Sequence, residues 1–335
     1  MTNEKPILEI ENLVVDYETE DGIVHAVTGM NISLEKRKTL GFVGETGAGK
    51  TTTALAILRL IPDPPGVIKS GSVKLNGTDI LNIPLPEMRK LRGNFVSMIF
   101  QDPMTSLNPA LTVGDQIAEV IETHQEVSKQ QAYEQAGEML EIVGIAKDRI
   151  NDYPHQFSGG MRQRVVIAMA LACKPNLMIA DEPTTALDVT IQAQILDVMK
   201  ELKQKYDMSM IMITHDLGIV AEICDEVSVV YAGKVVEHGT LKDVFENTKH
   251  PYTEGLFNSL PNINNRNEML KPIQGLMPDP TENIPGCAFA PRCEYATSIC
   301  TQQCPTQHFF SDKHYILCSA YEDPYFEIKR GKRMD

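Results

Sequence analysis

Short, predominantly apolar runs separated by polar sequence set the pattern of this chain. Four of them, at residues 39–43, 95–100, 177–180 and 210–213, lack alternation. Each predicts a strand buried on both faces, as in a parallel sheet. Each also stops abruptly at polar residues: Gly44-Glu45-Thr46, Gln101-Asp102, Asp181-Glu182 and Thr214-His215-Asp216. Open α/β sheets bind ligands at the carboxyl ends of their strands, so these four ends are expected to present chemistry on one edge. Further β-type sequence opens the chain at Ile7, Leu8, Ile10 and Leu13-Val14-Val15. Val73 and Leu75 lead into Asn76-Gly77, a hairpin signal, and residues 227–236 predict a second hairpin turning at Ala232-Gly233. Residues 111–150 switch to a helical period, with Ile117, Val120 and Ile121, then Tyr133, Ala136, Leu140 and Val143, at three- and four-residue spacing. No repeat with a period of 20 to 50 residues is visible.

Length and composition narrow the class. A chain of 335 residues predicts about two domains, or one with an extension. The longest apolar run, residues 165–173, is roughly half of what a bilayer-spanning helix needs. The first residues lack the basic-then-apolar layout of a secretion signal, so the protein is expected to be soluble and intracellular. Thirty-one basic against 45 acidic residues leave a net charge of −14, which argues against nucleic acid or anionic lipid as a general partner. The basic run from Lys329 to Arg333 reads as a solvated tail. Prolines punctuate residues 62–66, and five more fall within residues 261–285, predicting a linker. The expected division is therefore a main domain over 1–260, with helical sequence over about 102–165, and a Cys-rich extension over 261–335.

Gly44-Glu45-Thr46-Gly47-Ala48-Gly49-Lys50-Thr51 fits G-x-x-x-x-G-K-[ST], after an apolar strand and before a helical run at 52–60 that begins with Thr52. Such glycines let backbone N–H groups wrap phosphates at a helix N-terminus, with Lys50 reaching the β- and γ-phosphates and Thr51 holding Mg²⁺. Asp181, after four apolar residues, is placed to complete the Mg²⁺ shell. Glu182 is placed to polarise an attacking water, a role worth about 10²–10⁴-fold in rate. Ser158-Gly159-Gly160-Met161, after Phe157, predicts a capped helix start whose exposed N–H groups form a second phosphate site. That site lies too far along the chain to serve its own P-loop. Alone, Tyr17 on an alternating strand is a packing aromatic, and His215 a structural histidine.

Taken together, these motifs resemble an ABC-transporter ATPase subunit across residues 7–260. The resemblance implies an α/β P-loop NTPase fold (the ABC ATPase) with an antiparallel β subdomain and a helical subdomain. It makes Gln101 the Q-loop glutamine and ligand of Mg²⁺ and water, Ala186-Leu187-Asp188 the D-loop, His215 the γ-phosphate sensor, and Tyr17 the aromatic that stacks on adenine. The usual signature ends in glutamine, whereas this chain carries Met161. Met161 with Arg162-Gln163-Arg164-Val165 resembles the dipeptide and oligopeptide importer branch. So do the run from Phe100 to Pro109, His250-Pro251-Tyr252-Thr253, and Gly286-Cys287-Ala288-Phe289-Ala290-Pro291-Arg292-Cys293.

The resemblance implies a head-to-tail dimer in which ATP sits between one subunit's P-loop and the other's signature helix. In this branch the partner is a related but distinct chain, giving a heterodimer. Closure on ATP would drive two separate permease subunits, docked on residues 111–150 and fed by an extracytoplasmic peptide-binding protein. The subunit would then sit peripherally on the cytoplasmic face of the membrane. Rival readings are a nickel or other small-solute importer, a soluble ABC ATPase of DNA repair or translation, and a non-hydrolysing cassette. The intact Glu182 and His215 speak against the last.

Five of seven cysteines fall between Cys287 and Cys318. In a reducing cytosol such a cluster suggests metal ligation before disulfides. Cys287, Cys293, Cys300 and Cys318 are spaced x5, x6 and x17, with Cys304 a fifth thiol, and none of these gaps is the C-x-x-C of zinc ribbons. Four thiolates can hold a [4Fe–4S] cluster, and the resemblance adds that some ATPases of this branch carry one. Zinc, and free thiols or disulfides, stay open as alternatives. The expected role is structural, stapling a tail with little apolar sequence.

Overall fold

The computed structural model describes residues 5–185, 187–260 and 271–328. The expectations for Ala186, for the first part of the linker and for the basic C-terminal run lie outside them. In chain order the strands are β1 Leu8–Thr19, β2 Gly22–Leu34, β3 Thr39–Val43, β4 Gly66–Leu75, β5 Thr78–Asp79, β6 Val96–Ile99, β7 Leu177–Asp181, β8 Ser209–Thr214, β9 Glu226–Tyr231, β10 Lys234–Thr240, β11 Gln307–Phe309 and β12 Tyr315–Leu317. The chain divides into two compact units, one of residues 1–8, 33–39 and 74–214, the other of residues 9–32, 40–73 and 215–335.

In the first unit β6, β7 and β8 pair in parallel, with Val96 opposite Leu177 and Asp181 opposite Ile213. Every residue of β7 and β8 is buried, which is why their sequences carry no polar alternation. β6 is shorter than the apolar run that predicts it, because Phe100 lies past its end and is 43% exposed. The helical region falls into two helices, Val113–His124 and Lys129–Ile142, followed by a 3₁₀ turn, Lys147–Asn151. Thr112 caps the first through the Asp115 N–H at 3.1 Å, and Ser128 forms a capping box with Gln131 at the start of the second. Their buried faces carry Ile117 and Ile121, then Ala132, Ala136 and Leu140. Helices Gly159–Leu171 and Val189–Lys205 complete this unit. The former starts six residues before the apolar run that announces it, at the Ser158 cap.

In the second unit β3 pairs in parallel with β9, Val43 opposite Val229, and β9 turns into antiparallel β10. Ala232 and Gly233 take φ of 46° and 78° at that turn, and in the first unit Asn76 and Gly77 take 48° and 84° between β4 and β5. Both hairpins stand where their turn residues predict them. From the Cys-rich extension, β12 joins β10, with Glu237 opposite Ile316, and β11 joins β12. Strands of the extension therefore continue the sheet that contains β3. Among the described residues no helix is long and apolar enough to cross a membrane.

Candidate nucleotide site

β3 leads into the glycine-rich loop, and the helix Lys50–Ile57 leaves it with Gly49 at its N-cap, φ 96°. The helix begins two residues earlier than the apolar pattern suggests. Close approach dictates two of the glycines. A Cβ on Gly44 would stand 2.2 Å from the Val230 carbonyl oxygen, and one on Gly49 would meet the Ala26 oxygen. At Gly47, φ 84°, nothing lies within 4 Å, so the loop's crown is open. Lys50 is buried and its Nζ donates to the Gly44 and Glu45 carbonyl oxygens at 2.6 and 2.9 Å. Thr51 is exposed at the first turn, and Ala48 is buried and donates from its backbone to Glu45. Helix N-terminus, lysine and open crown together give the loop the positive character that phosphate binding needs. Half-buried Tyr17 lies in the same unit on β1, its hydroxyl 3.5 Å from Thr52 Oγ1. Exposed His215 directly follows β8 in sequence.

The first unit gathers three of the expected residues. Asp181, 2% exposed, ends β7. Glu182 follows in a left-handed backbone conformation, φ 47°, pinned by its N–H to the Ile213 carbonyl at 2.9 Å. Its Oε2 accepts from Gln101 Nε2 at 3.0 Å and from Thr185 Oγ1 at 2.9 Å. Glutamine and carboxylate, 81 residues apart, are thus in direct contact. Ser158 Oγ accepts from the Met161 N–H at 3.3 Å, while Ser158 and Gly159 remain exposed, so the first turn of that helix faces solvent. Gly160 lets the helix pack against Val189–Lys205, since a Cβ there would stand 2.4 Å from Ile191 Cγ2. Asp188 caps that second helix through the Ile191 N–H at 3.0 Å.

The extension reaches the loop of its own chain. Arg292 Nη1 lies 3.1 and 3.0 Å from the two Glu45 carboxylate oxygens and 3.2 Å from Tyr231 Oη, and the Glu45 N–H donates to Tyr252 Oη at 3.1 Å. Phe289 packs edge-on against Tyr231 and Tyr252, with ring centroids 5.3 Å away in both cases. Burial and the nearby Glu45 carboxylate push the Tyr252 phenol far above its ordinary range, keeping it a neutral hydrogen-bonding group. His250 caps the helix Pro251–Asn258, its Nδ1 accepting from the Tyr252 N–H, and its Nε2 lies 3.1 Å from the Leu317 carbonyl oxygen of β12. Fully buried Glu237 accepts from the backbone N–H groups of Lys249 and His250 and pairs with His314 at 3.0 Å.

All five cysteines of the extension are free thiols. Burial pushes the Cys293 thiol to about 11 and the Cys318 thiol to about 12, and Cys287, Cys293 and Cys300 all act electrostatically on Cys318. The four expected ligands are therefore neighbours, while exposed Cys304 stands aside and bonds the Pro285 carbonyl. Even so, no group of three or more His, Cys, Asp or Glu side chains that could hold a metal ion occurs among the described residues. The expected [4Fe–4S] or zinc site is not assembled in this arrangement. Burial first, and then mutual repulsion as anions, favours the protonated form of Cys287, Cys293 and Cys318.

Comparison with known proteins decides what carries these motifs. Residues 27–185 match the family described as ABC transporter, and residues 236–300 match the oligopeptide/dipeptide transporter, C-terminal region. The chain is 51% identical over 313 residues to the oligopeptide transport ATP-binding protein OppD of Bacillus subtilis, covering 92% of this chain and 87% of that one. It is 48% identical over 314 residues to the dipeptide transport ATP-binding protein DppD of the same organism, covering 93% and 94%. Among solved structures, the post-hydrolysis dimer of the ATP-binding cassette MJ0796 bound to ADP and Pi covers 70% of this chain and 98% of its own, at a TM-score of 0.63 and 25% identity. The chain belongs to the ABC-transporter ATP-binding subunits of the oligopeptide/dipeptide branch.

It is an ABC-type ATPase with the P-loop NTPase fold. Two strings that mark the branch acquire physical content in this ABC ATPase. His250 and Tyr252 are a helix cap and a hydroxyl on the loop; Phe289 and Arg292 pack and pair beside them. Spacing along the chain assigns none of these contacts and does not single out Tyr231 or Glu237; for Glu237 the available signal is a charged residue in the apolar stretch of β10.

Proposed function

We propose that this chain is the ATP-hydrolysing motor of a peptide importer, coupling nucleotide turnover at a dimer interface to transport by separate permease subunits. The observation that carries the reading is one chain holding both the ABC region and the oligopeptide/dipeptide C-terminal region at near 50% identity to peptide-transport subunits. In this proposal Gly44 to Thr52 bind the phosphates of ATP, and Thr51, Gln101 and Asp181 serve Mg²⁺, which neutralises charge on the transferring phosphoryl group. Glu182 takes a proton from the attacking water, and the Gln101 contact supports this by orienting its carboxylate. His215 senses the γ-phosphate and Tyr17 stacks on adenine.

The exposed first turn at Ser158, Gly159, Gly160 and Met161 offers N–H groups and a positive dipole end to the nucleotide of a second, related ATPase subunit, with Asp188 nearby in sequence. Residues 1–260 form the motor and 261–335 the extension, attached peripherally to the cytoplasmic side of the membrane through the permease. An extracytoplasmic binding protein delivers the peptide. Co-expression with peptide-importer permease subunits and a partner ATPase tests this reading: a complex whose ATP turnover rises with binding protein and peptide supports it, and stimulation by nickel instead of peptide opposes it.

The finer reading of the extension is a [4Fe–4S] cluster on Cys287, Cys293, Cys300 and Cys318. Its support is the donor chemistry of four mutually interacting thiols, while Cys304 bonds the Pro285 carbonyl. Anaerobic purification tests it: brown protein with about four irons per chain, kept in Cys304→Ser, is expected, and one zinc or no metal would overturn it.

A further inference from the structure

The extension and the P-loop meet through one ion pair that the nucleotide reading leaves unused. Arg292 is nearly enclosed, its side chain 6% exposed against 30% for Glu45, and its Nη1 is within 3.1 Å of both carboxylate oxygens. The guanidinium is itself held at three further points: its Nη1 to Tyr231 Oη at 3.2 Å, its Nε to the Gln274 carbonyl at 3.0 Å, and its face toward the Tyr231 ring at 5.8 Å. From the other side, Tyr252 Oη fixes the Glu45 N–H. A cavity of about 1270 Å³ opens beside this contact, lined by Glu45, Thr46 and Gly47 of the loop and by Met277, Asp279 and Cys287 of the extension.

Glu45 is the odd member of a phosphate-binding loop. Its carboxylate is an anion on a loop whose N–H groups serve anions, and like charges within a few ångströms repel. Arg292 answers that problem in two ways. It cancels the charge, and it aims the carboxylate at the extension.

We propose that Arg292 is a positioning residue of the nucleotide site, holding the Glu45 carboxylate out of the phosphate cradle so that seating of the extension sets the affinity of the P-loop for Mg-ATP. The pair is more than half enclosed, so loss of the cation leaves an uncompensated anion beside the cradle. Lysine, a point charge without the planar fork, replaces only part of it.

This inference rests on the P-loop being the ATP site, and a control separates the two. Mg-ATP affinity is titrated on the full-length chain for the wild type, Lys50→Ala, Arg292→Ala, Arg292→Lys, Glu45→Gln and the double variant Glu45→Gln/Arg292→Ala. The expected result is a loss of roughly five- to tenfold in affinity for Arg292→Ala and a smaller loss for Arg292→Lys. The double variant should return to within about twofold of Glu45→Gln, because removing the carboxylate removes the need for its partner. A merely structural arginine would give losses that the neutral Glu45→Gln change does not relieve, and that outcome overturns the proposal. Unchanged affinity in Arg292→Ala, alongside lost affinity in Lys50→Ala, overturns it while leaving the P-loop reading intact. Unchanged affinity in Lys50→Ala overturns both.

Discussion

Glu182 adopts φ 47°, a backbone conformation that costs a glutamate roughly 1–2 kcal/mol. The hydrogen bonds from its N–H to Ile213 and from Gln101 and Thr185 to its carboxylate keep it there. Strain held by surrounding bonds is a mark of a residue whose direction matters more than its local comfort. Glutamine at this position keeps the shape and most of the hydrogen bonding but cannot take up a proton. Glu182→Gln is therefore expected to bind Mg-ATP normally and to lose about 10²-fold or more of the turnover of the assembled transporter. Phosphate release assays on the complex decide this, and near-normal turnover would place the base elsewhere.

At the scale of elements, two packing arrangements carry testable consequences. The signature helix meets its neighbour at Gly160, where a methyl group would stand 2.4 Å from Ile191 Cγ2. Gly160→Ala must push the two helices apart, at a cost of about 1–3 kcal/mol, visible as a lower urea midpoint. An unchanged midpoint would mean that the helices have room to shift. The second arrangement is histidine-based. Burial lowers the pKa of both His238 and His250 from 6.5 to about 4, and for His250 a proton on Nδ1 would also displace the Tyr252 N–H that this nitrogen accepts. Folded values lie below unfolded ones, so the unfolded chain binds more protons between pH 6.5 and 4. Stability is therefore complete above about pH 6.5 and falls as pH drops toward 4, by at most on the order of 3 kcal/mol per histidine. Urea titrations across that window should show the loss, and replacing His250 by Gln should shrink it. A flat profile would contradict the neutral cap.

Elements also show what was legible from sequence. The four buried strands announced themselves because two-sided burial removes polar alternation, and the two hairpins because Asn76, Gly77 and Gly233 readily take the positive φ that their turns require. The P-loop was legible because its chemistry is local, eight consecutive residues. The clamp of Arg292, Tyr231 and Tyr252 on Glu45 was not, since it joins residues 45, 231, 252 and 292, and no spacing along the chain encodes such a contact. The same limit governs the cysteines. Spacing shows that four thiols exist, whereas assembly into a ligand set depends on how the extension folds, and the described residues contain no metal-holding group.

The whole molecule offers two phosphate-seeking ends. The chain presents a phosphate loop with an open crown and, separately, a capped helix start whose first turn faces solvent. In the proposed motor each is one half of a site completed by a second subunit. A net charge of −14 adds a consequence: two such chains repel at low salt, which favours a partner of different charge or a permease that holds the pair together. ATP turnover measured as a function of protein concentration, for the isolated chain and for its complex with partner ATPase and permease, tests this most directly. The isolated chain is expected to bind Mg-ATP yet turn it over slowly, with activity per chain falling on dilution, while the complex with binding protein and peptide turns over fast and independently of dilution. Vigorous, dilution-independent turnover by the isolated chain would contradict the composite site on which the account stands.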